Sequence, residues 1–237
     1  GGIGRVMADS FATCGAAVFV CDVDAEALAD CPHPKMHADM GEVAECERFV
    51  DAAVAHLGGL DVLVNNAGIA GPTARVEDIR PEDLERTMRI DIESMFHTTR
   101  RAVPALRAAG GGAIINLSSA AGRFGFPLRS AYSAAKWGVI GFTKSIALEL
   151  GPDGIRANAI LPGLVAGDRI RRVIEAKAQA EGVAFKVKEA ELLKNTSLRS
   201  YVTQQDIANM ALYLCSPFGR TISGQSLAVD ADMQVLG

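Results

Sequence analysis

Short apolar runs that alternate with longer stretches of helical period constrain the fold of this chain more than any other feature. The runs stand at residues 16–21 (AAVFVC), 61–64 (DVLV), 113–117 (AIINL), 156–161 (RANAIL) and 226–229 (SLAV). Strands with near-continuous apolar runs are typical of a parallel sheet covered by helices on both faces. The pattern therefore predicts an α/β fold with a doubly wound parallel sheet.

Three stretches between these runs predict helices. Apolar residues recur at three- and four-residue steps from 43 to 57 and are followed by Gly58 and Gly59, which are typical of a helix end. Pro81 and the acidic residues after it favour a helix start, so we expect a helix over about 82–107. A further helix is expected from about 130 to 150.

The organisation of the chain is that of one unit. Its 237 residues contain no internal repeat, low-complexity segment or Pro/Ser-rich linker, so a single domain is expected. The connection at residues 163–200 is long and polar, with a helical pattern around 170–180. Connections of this length often serve as lids or binding loops, and we interpret this one as a substrate lid.

Composition and charge narrow the function classes. A net charge of −4 gives no basic excess for nucleic acid, and no apolar run approaches the roughly 20 residues that span a bilayer. The five cysteines form no C-x-x-C motif and the four histidines form no metal-ligand pattern, so no metal site is expected. Free thiols suit a reducing compartment, and we expect a cytoplasmic protein with neither a nucleic-acid nor a membrane partner.

The opening stretch, GGIGRVMADS, resembles a phosphate-binding turn. Gly1, Gly2 and Gly4 predict a tight turn into a helix, whose first backbone N–H groups can bind a phosphate. Asp22 ends the first apolar run, near the roughly 20-residue spacing at which an acidic residue binds the adenosine ribose of a dinucleotide. Taken alone, Asp22 and Asp24 could equally be turn and helix-cap residues.

Polar residues also follow two later apolar runs. In LVNNAG, Asn65 and Asn66 precede Gly68, and a glycine lets a ligand approach the backbone closely. INLSSAAG places Ser118 and Ser119 at a strand end, where hydroxyls can point into the crevice at the carboxyl edge of a parallel sheet. Turns of this kind and strand-end serines are common, so neither segment is specific by itself.

YSAAK places Tyr132 and Lys136 four positions apart, on one face of a predicted helix. A phenol is a poor base near neutrality, and a neighbouring ammonium makes it a better one by favouring the phenolate. The pair therefore suits acid/base chemistry. Tyrosine and lysine also share helix faces by chance, and the motif alone is weak.

These pieces occur together in a fixed order: GGIG, CDVD, HADM, NNAG, NLSS, YSAAK, NAILPG and ISGQSLAVD. In this order, over nearly the whole chain, the sequence resembles the short-chain dehydrogenase/reductase family. The resemblance implies a Rossmann-type sheet with strand order 3-2-1-4-5-6-7, subunits paired as a homotetramer or homodimer, and an NAD-dependent enzyme that interconverts a small secondary alcohol and its carbonyl compound. An NADP-dependent carbonyl reductase and a catalytically silent dinucleotide-binding protein are the alternatives.

The resemblance also implies roles for individual residues. Ser119 would hydrogen-bond the substrate oxygen, Tyr132 would exchange a proton with it, and Lys136 would hold the nicotinamide ribose. Asp91 stands where the family has its fourth catalytic residue, an asparagine, and Asp22, with no arginine after it, is expected to select NAD over NADP. The implied cofactor-binding residues are Gly2, Ile3, Gly4, Asp22, Val23, Asp39, Met40, Asn66, Ala67, Gly68, Tyr132, Lys136, Pro162, Gly163 and Val165.

This chain departs from the family pattern at three places. Asp91 could accept a hydrogen bond from a relay water, or it could pair with Lys136 and counteract its effect on Tyr132. Gly167 stands where the family has a threonine that contacts the nicotinamide carboxamide, and AVDAD at 228–232 replaces the more usual glycines near the chain end. The first two departures motivate the silent alternative.

The family's first strand and first loop glycine would precede Gly1. That strand is internal in the implied sheet, and a gap inside a buried sheet would leave strand edges unpaired. We therefore expect the natural polypeptide to extend upstream by about 10–20 residues, one strand and a turn.

Positive charge near the expected substrate pocket would suit an anionic hydroxy or keto substrate. Residues 168–199 hold eight basic and five acidic residues, and Arg123 and Arg129 flank Phe124 and Phe126 shortly before Tyr132. A lid helix that keeps its charges in solvent explains the same pattern.

Overall fold

The computed structural model of the protein describes residues 2–236, except for the side chains at 169, 176, 177 and 180. Gly1 of the opening turn and the basic residues Arg169 and Lys177 of the expected lid therefore lie outside the described residues. The helices are α1 (Gly2–Thr13), α2 (Ala25–Ala29), α3 (Val43–Leu57), α4 (Pro81–Met88), α5 (Ser94–Ala108), α6 (Ser130–Leu150), α7 (Asp168–Glu181), α8 (Phe185–Leu193) and α9 (Gln204–Cys215). The strands are β1 (Val20–Asp22), β2 (Lys35–His37), β3 (Val62–Asn65), β4 (Gly112–Leu117), β5 (Ile155–Pro162) and β6 (Ser226–Val229).

The strands form two parallel sheets, one with the order β3-β4-β5-β6 and the other made of β1 and β2. This confirms the predicted parallel α/β architecture. Four of the five predicted strands lie where the apolar runs stand. A cavity of about 1220 Å³ is lined both by β1 and by β3, and so lies between the two sheets. No helix among residues 2–236 is long and apolar enough to cross a membrane.

The first strand is shorter than the apolar run at 16–21 predicts, because β1 begins only at Val20. Its partner β2 was not predicted and has three residues, starting at Lys35. Pro34 precedes β2 and has no backbone N–H, so it cannot donate to the ladder. The ladder therefore starts at Val20, whose N–H bonds to the carbonyl of Pro34.

The predicted helices are confirmed. Helix α3 ends at Gly58, which adopts the left-handed conformation with φ 76° and donates its N–H to Val54. Pro81 opens α4, and α6 spans the predicted 130–150. The helix predicted over about 82–107 is interrupted by one π-helical turn, Arg89–Glu93, between α4 and α5. Turns of this kind are frequent at functional sites.

Helices cover both faces of the larger sheet, as a doubly wound fold requires. Neighbouring residues of β4 point to opposite faces: Ile114 packs in a core with α3, α5 and α6, whereas Ile115 packs in a second core with α1 and α9. Both isoleucines are fully buried. The larger sheet is thus packed between two layers of helices.

A buried network of amides and hydroxyls joins β3 and β4 to the helices. The amide of Asn65 donates to Oδ1 of Asn116, its register partner in β4, at 2.8 Å. Thr98 of α5 donates to Asn65, and Asn116 donates to Thr143 of α6. Since an unpaired buried amide is costly, a slip of one residue in the β3–β4 register is disfavoured.

Candidate active site

The predicted site residues follow the ends of four strands. Because all strands are parallel, these ends lie at the carboxyl edge of the sheets, where open α/β folds bind ligands. Asp22 ends β1 and Asn65 ends β3, Ser118 and Ser119 follow β4, and Pro162 ends β5. The predicted site residues therefore lie together at strand ends.

Part of the predicted cofactor set lies in one place. The cavity between the sheets is lined by eight of these residues: Gly4, Asp22, Val23, Asp39, Met40, Asn66, Ala67 and Gly68. Gly2 and Ile3 open helix α1. Tyr132, Lys136, Pro162, Gly163 and Val165 are outside that lining and belong to α6 and to the end of β5 and the connection after it.

Two glycines allow side chains to approach the backbone closely. A Cβ at Gly4 would lie 2.6 Å from Nδ2 of Asn66, and a Cβ at Gly68 would lie 2.6 Å from Oδ1 of Asp91. The close approach at Gly4 is at the start of α1, where free backbone N–H groups can bind a phosphate. With an acid at the end of β1, these features fit a nicotinamide dinucleotide.

Asp22 lines this cavity and is half-buried. Its Oδ1 accepts a hydrogen bond from the backbone N–H of Asp24 at 3.1 Å. Burial acts to raise the pKa of Asp22, but the hydrogen bond from Asp24 and other nearby donors outweigh it and hold that pKa below its usual range. The carboxylate is thus charged at neutral pH and can accept from ribose hydroxyls. Asp24 caps α2 by accepting from Glu26 and Ala27, so it is the cap residue of the alternative interpretation.

The two serines after β4 differ in their surroundings. Ser118 is buried, and its hydroxyl donates to the carbonyl of Lys136 at 2.7 Å. Ser119 is half-buried and accepts from the N–H of Ala121 at 3.1 Å. Ser133 of α6 donates to the carbonyl of Ala121. Residues 118–121, which we call the serine loop, are therefore hydrogen-bonded to α6, the helix that carries Tyr132. Ser119 has the more accessible hydroxyl of the two serines.

Tyr132 and Lys136 lie on the same face of α6, as their spacing predicts. Nζ of Lys136 is 5.6 Å from the ring centroid of Tyr132, and the lysine is buried while the tyrosine is half-buried. A second cation, the guanidinium of Arg129, lies 5.5 Å from the same centroid and is bonded to the carbonyl of Ala70. The tyrosine ring therefore faces two positive charges.

Asp91 lies in the π-helical turn and is paired with Lys136. It is fully buried, and its Oδ1 accepts from the N–H of Ile69 at 2.8 Å. The same oxygen is 3.7 Å from Nζ of Lys136, which also donates to the carbonyl of Leu117 at 3.2 Å. Of the two alternatives for Asp91, the structure contains the pairing with Lys136.

The connection at 163–200 contains α7 and a second helix, α8, which the sequence pattern did not predict. Several of its described charges are paired within it: Arg171 with Glu175, and Lys188 with Glu181 and Glu191. Two of the six basic residues whose side chains are described in 168–199 are thus balanced by acidic partners within the connection itself.

The chain end contributes contacts that the sequence analysis missed. Arg123, flagged as an anion-binding candidate, lies 3.2 Å from the buried carboxylate of Asp230 and donates to the carbonyl of Met233. Met233 forms a bridge to Thr196 beyond α8. The AVDAD departure marked the segment, but no sequence signal indicated these partners. Residues 230–233 thus connect Arg123, which follows the serine loop, to Thr196 of the lid connection.

Comparisons with known proteins cover almost the whole chain. A family model described as enoyl-(acyl carrier protein) reductase matches residues 1–233. D-beta-hydroxybutyrate dehydrogenase of Cupriavidus necator is 40% identical over 188 residues, which are 79% of this chain and 72% of that protein. A crystal structure of a variant of actinorhodin polyketide ketoreductase with NADPH superposes with a TM-score of 0.90 at 30% identity, covering 98% of this chain and 93% of the other. NAD⁺-bound xylitol dehydrogenase superposes with a TM-score of 0.89 at 27% identity, covering 97% and 94%.

Proposed function

The chain belongs to the short-chain dehydrogenase/reductase family and is an NAD(P)-dependent oxidoreductase, and from that premise we propose that it uses NAD to interconvert a small secondary alcohol and its carbonyl compound. The observation that carries this proposal is the buried ammonium of Lys136 5.6 Å from the ring of the half-buried Tyr132, beside the serine loop.

Each residue of this group has a role that its surroundings support. The hydroxyl of Ser119 donates a hydrogen bond to the substrate oxygen. Tyr132 takes a proton from an alcohol substrate or gives one to a carbonyl substrate. Lys136 favours the phenolate of Tyr132 through its charge, and it holds the nicotinamide ribose. The nicotinamide, when bound, accepts or donates the hydride.

The cofactor site is proposed to follow the sheet edge. Gly2, Ile3 and Gly4 present the start of α1 to the pyrophosphate. The remaining proposed contacts are Val23, Asp39, Met40, Asn66, Ala67 and Gly68 on the adenosine side and Pro162, Gly163 and Val165 on the nicotinamide side. Asp22 supports NAD over NADP, because a carboxylate accepts from a 2′-hydroxyl and repels a 2′-phosphate.

The proposed substrate is a small secondary alcohol or ketone, and an anionic hydroxy acid is included in the proposal. The similarity to D-beta-hydroxybutyrate dehydrogenase supports an acid, as does the guanidinium of Arg129 beside Tyr132. Arg123 contributes less, since Asp230 balances its charge. Residues 163–200 are proposed to close over this substrate.

We also propose a cytoplasmic homotetramer or homodimer. Large apolar side chains are exposed on α5 and α6, namely Phe96, Trp137 and Leu148, and Phe218 is exposed just after α9. Where such side chains come together on one surface, they are typical of a subunit interface. All five cysteines lie in the described part and are free, which suits a reducing compartment.

The test combines cofactor binding with a single hydroxyl deletion. NADH and NADPH are titrated against the protein while energy transfer from Trp137, which is half exposed, is followed. NADPH should bind at least about tenfold more weakly than NADH, a difference of about 1.4 kcal/mol in binding free energy.

Tyr132→Phe should keep NADH binding and lose turnover of 3-hydroxybutyrate and of a neutral alcohol of similar size. Tyr213→Phe, which removes the hydroxyl of an exposed tyrosine, should change neither NADH binding nor turnover. Binding without turnover in the parent protein would favour the silent dinucleotide-binding alternative, and tighter NADPH binding would favour the NADP-dependent reductase.

A further inference from the structure

A carboxylate and an ammonium are buried together beneath the proposed active site. The side chain of Lys136 is 5% exposed and that of Asp91 is 0% exposed, and Oδ1 and Nζ are 3.7 Å apart. Burying an isolated charge is very costly, so a buried ammonium requires an opposite charge or several good acceptors. Asp91 is therefore the counter-ion of Lys136, and the carbonyl of Leu117 is a further acceptor.

Neither partner can easily move away. The N–H of Ile69 holds Oδ1 of Asp91 at 2.8 Å, and the backbone of Gly68 leaves no space for a β-carbon beside it. An asparagine in place of Asp91 would keep an oxygen for Ile69 and would remove only the charge. The carboxylate is thus not needed for the hydrogen bond that positions this turn.

We propose, on the basis of the proposed function, that Asp91 is a positioning residue that acts through Lys136 and moves the proton transfer of Tyr132 to higher pH. Its negative charge opposes that of the ammonium, so it favours the phenol over the phenolate. In the described part of the chain, the charged groups placed at Tyr132 are Lys136 on α6 and Arg129 just before α6, and Asp91 of the π-helical turn is paired with Lys136.

The distances allow the size of the effect to be stated. Oδ1 is 3.7 Å from Nζ, and Nζ is 5.6 Å from the ring centroid of Tyr132, so the carboxylate is within about 9 Å of the ring. At an effective dielectric constant of about 20, a unit charge at that distance shifts a proton equilibrium by about one pH unit. Removing the charge should shift the profile to lower pH by that amount.

The experiment is a pH profile of kcat for alcohol oxidation at saturating NAD⁺ and substrate. Oxidation needs the phenolate, so activity rises with pH to a plateau. Asp91→Asn should reach half of its plateau about one pH unit below the parent protein. Asp51→Asn, which removes an exposed carboxylate paired with Arg101 on the surface, should leave the half-plateau pH unchanged.

The outcomes separate this proposal from the proposed function. Turnover in the parent with no acid shift in Asp91→Asn would overturn the role of Asp91 and leave the enzyme intact. A parent without turnover would overturn both. Asp91→Ser also removes the charge and should show the same shift. If neither neutral variant folds, the carboxylate serves the structure alone, and the role in the pH profile is wrong.

Discussion

The replacement of Gly68 by alanine tests the packing on which the site depends. The new β-carbon would lie 2.6 Å from Oδ1 of Asp91 and 3.3 Å from Nζ of Lys136, whereas ordinary contact begins at 3.4 Å. Asp91 would therefore have to move by roughly 0.8 Å, against its hydrogen bond from Ile69. Overpacking of this kind costs about 1–3 kcal/mol.

The expected result has a thermal and a kinetic part. A loss of about 2 kcal/mol lowers Tm by about 4–8 °C in a chain of this size, measured by circular dichroism without cofactor. Displacement of the Asp91–Lys136 pair by most of an ångström should lower kcat by about 10- to 100-fold. Gly59→Ala is the matched control, since nothing lies within 4 Å of its β-carbon and its φ is not positive. If Gly68→Ala has the Tm and kcat of Gly59→Ala, the close approach of this backbone to Asp91 is refuted.

Two further predictions concern stability. Ala231 has φ 57°, a left-handed conformation that costs an L-residue about 1–2 kcal/mol. Ala231→Gly relieves this cost, and after the entropy cost of glycine it should raise the free energy of unfolding by about 0.5–1 kcal/mol. A free energy of unfolding that is unchanged or lower in urea denaturation would contradict this. The hydrogen bond from the His33 ring, together with Arg5, holds the pKa of Asp9 in the folded protein below its ordinary value of 3.8. The ionised carboxylate therefore stabilises the fold above pH 3.8, and this stabilisation is lost as the pH falls through the pKa of Asp9 in the folded protein. Asp9→Asn should therefore be less stable than the parent at pH 7, with a difference that narrows below about pH 4; a difference that persists at pH 2 would contradict the pairing.

The sequence predicted the larger elements of the fold because their signals are local and periodic. The apolar stripe over 43–57 coincides with α3, Gly58 caps its end, and the helix over 130–150 needed no tertiary information. Strand β2 escaped prediction because three residues are too few for a period, and the start of β1 depends on a partner that Pro34 shortens.

The site was predictable in composition but not in contacts. Ser119, Tyr132 and Lys136 come from short motifs, whereas the choice between the two interpretations of Asp91 depends on how the π-helical turn packs against α6. No local pattern carries that geometry. The neutralisation of Arg123 by Asp230 is of the same kind, since 107 positions of chain separate the two residues.

Two departures from the family pattern have opposite physical meanings. Gly167 has φ 141° and ψ −179°, a region that is essentially restricted to glycine, and a β-carbon there would lie 3.1 Å from Nε2 of Gln204. A threonine at this position would therefore strain the backbone before it could offer a hydroxyl to a ligand. Ala231 and Asp232, by contrast, hold left-handed conformations with side chains where glycine would be relaxed. Gly167 thus matches its backbone and Ala231 opposes its own, so a glycine is compatible with this fold at 231, whereas a threonine at 167 is strained.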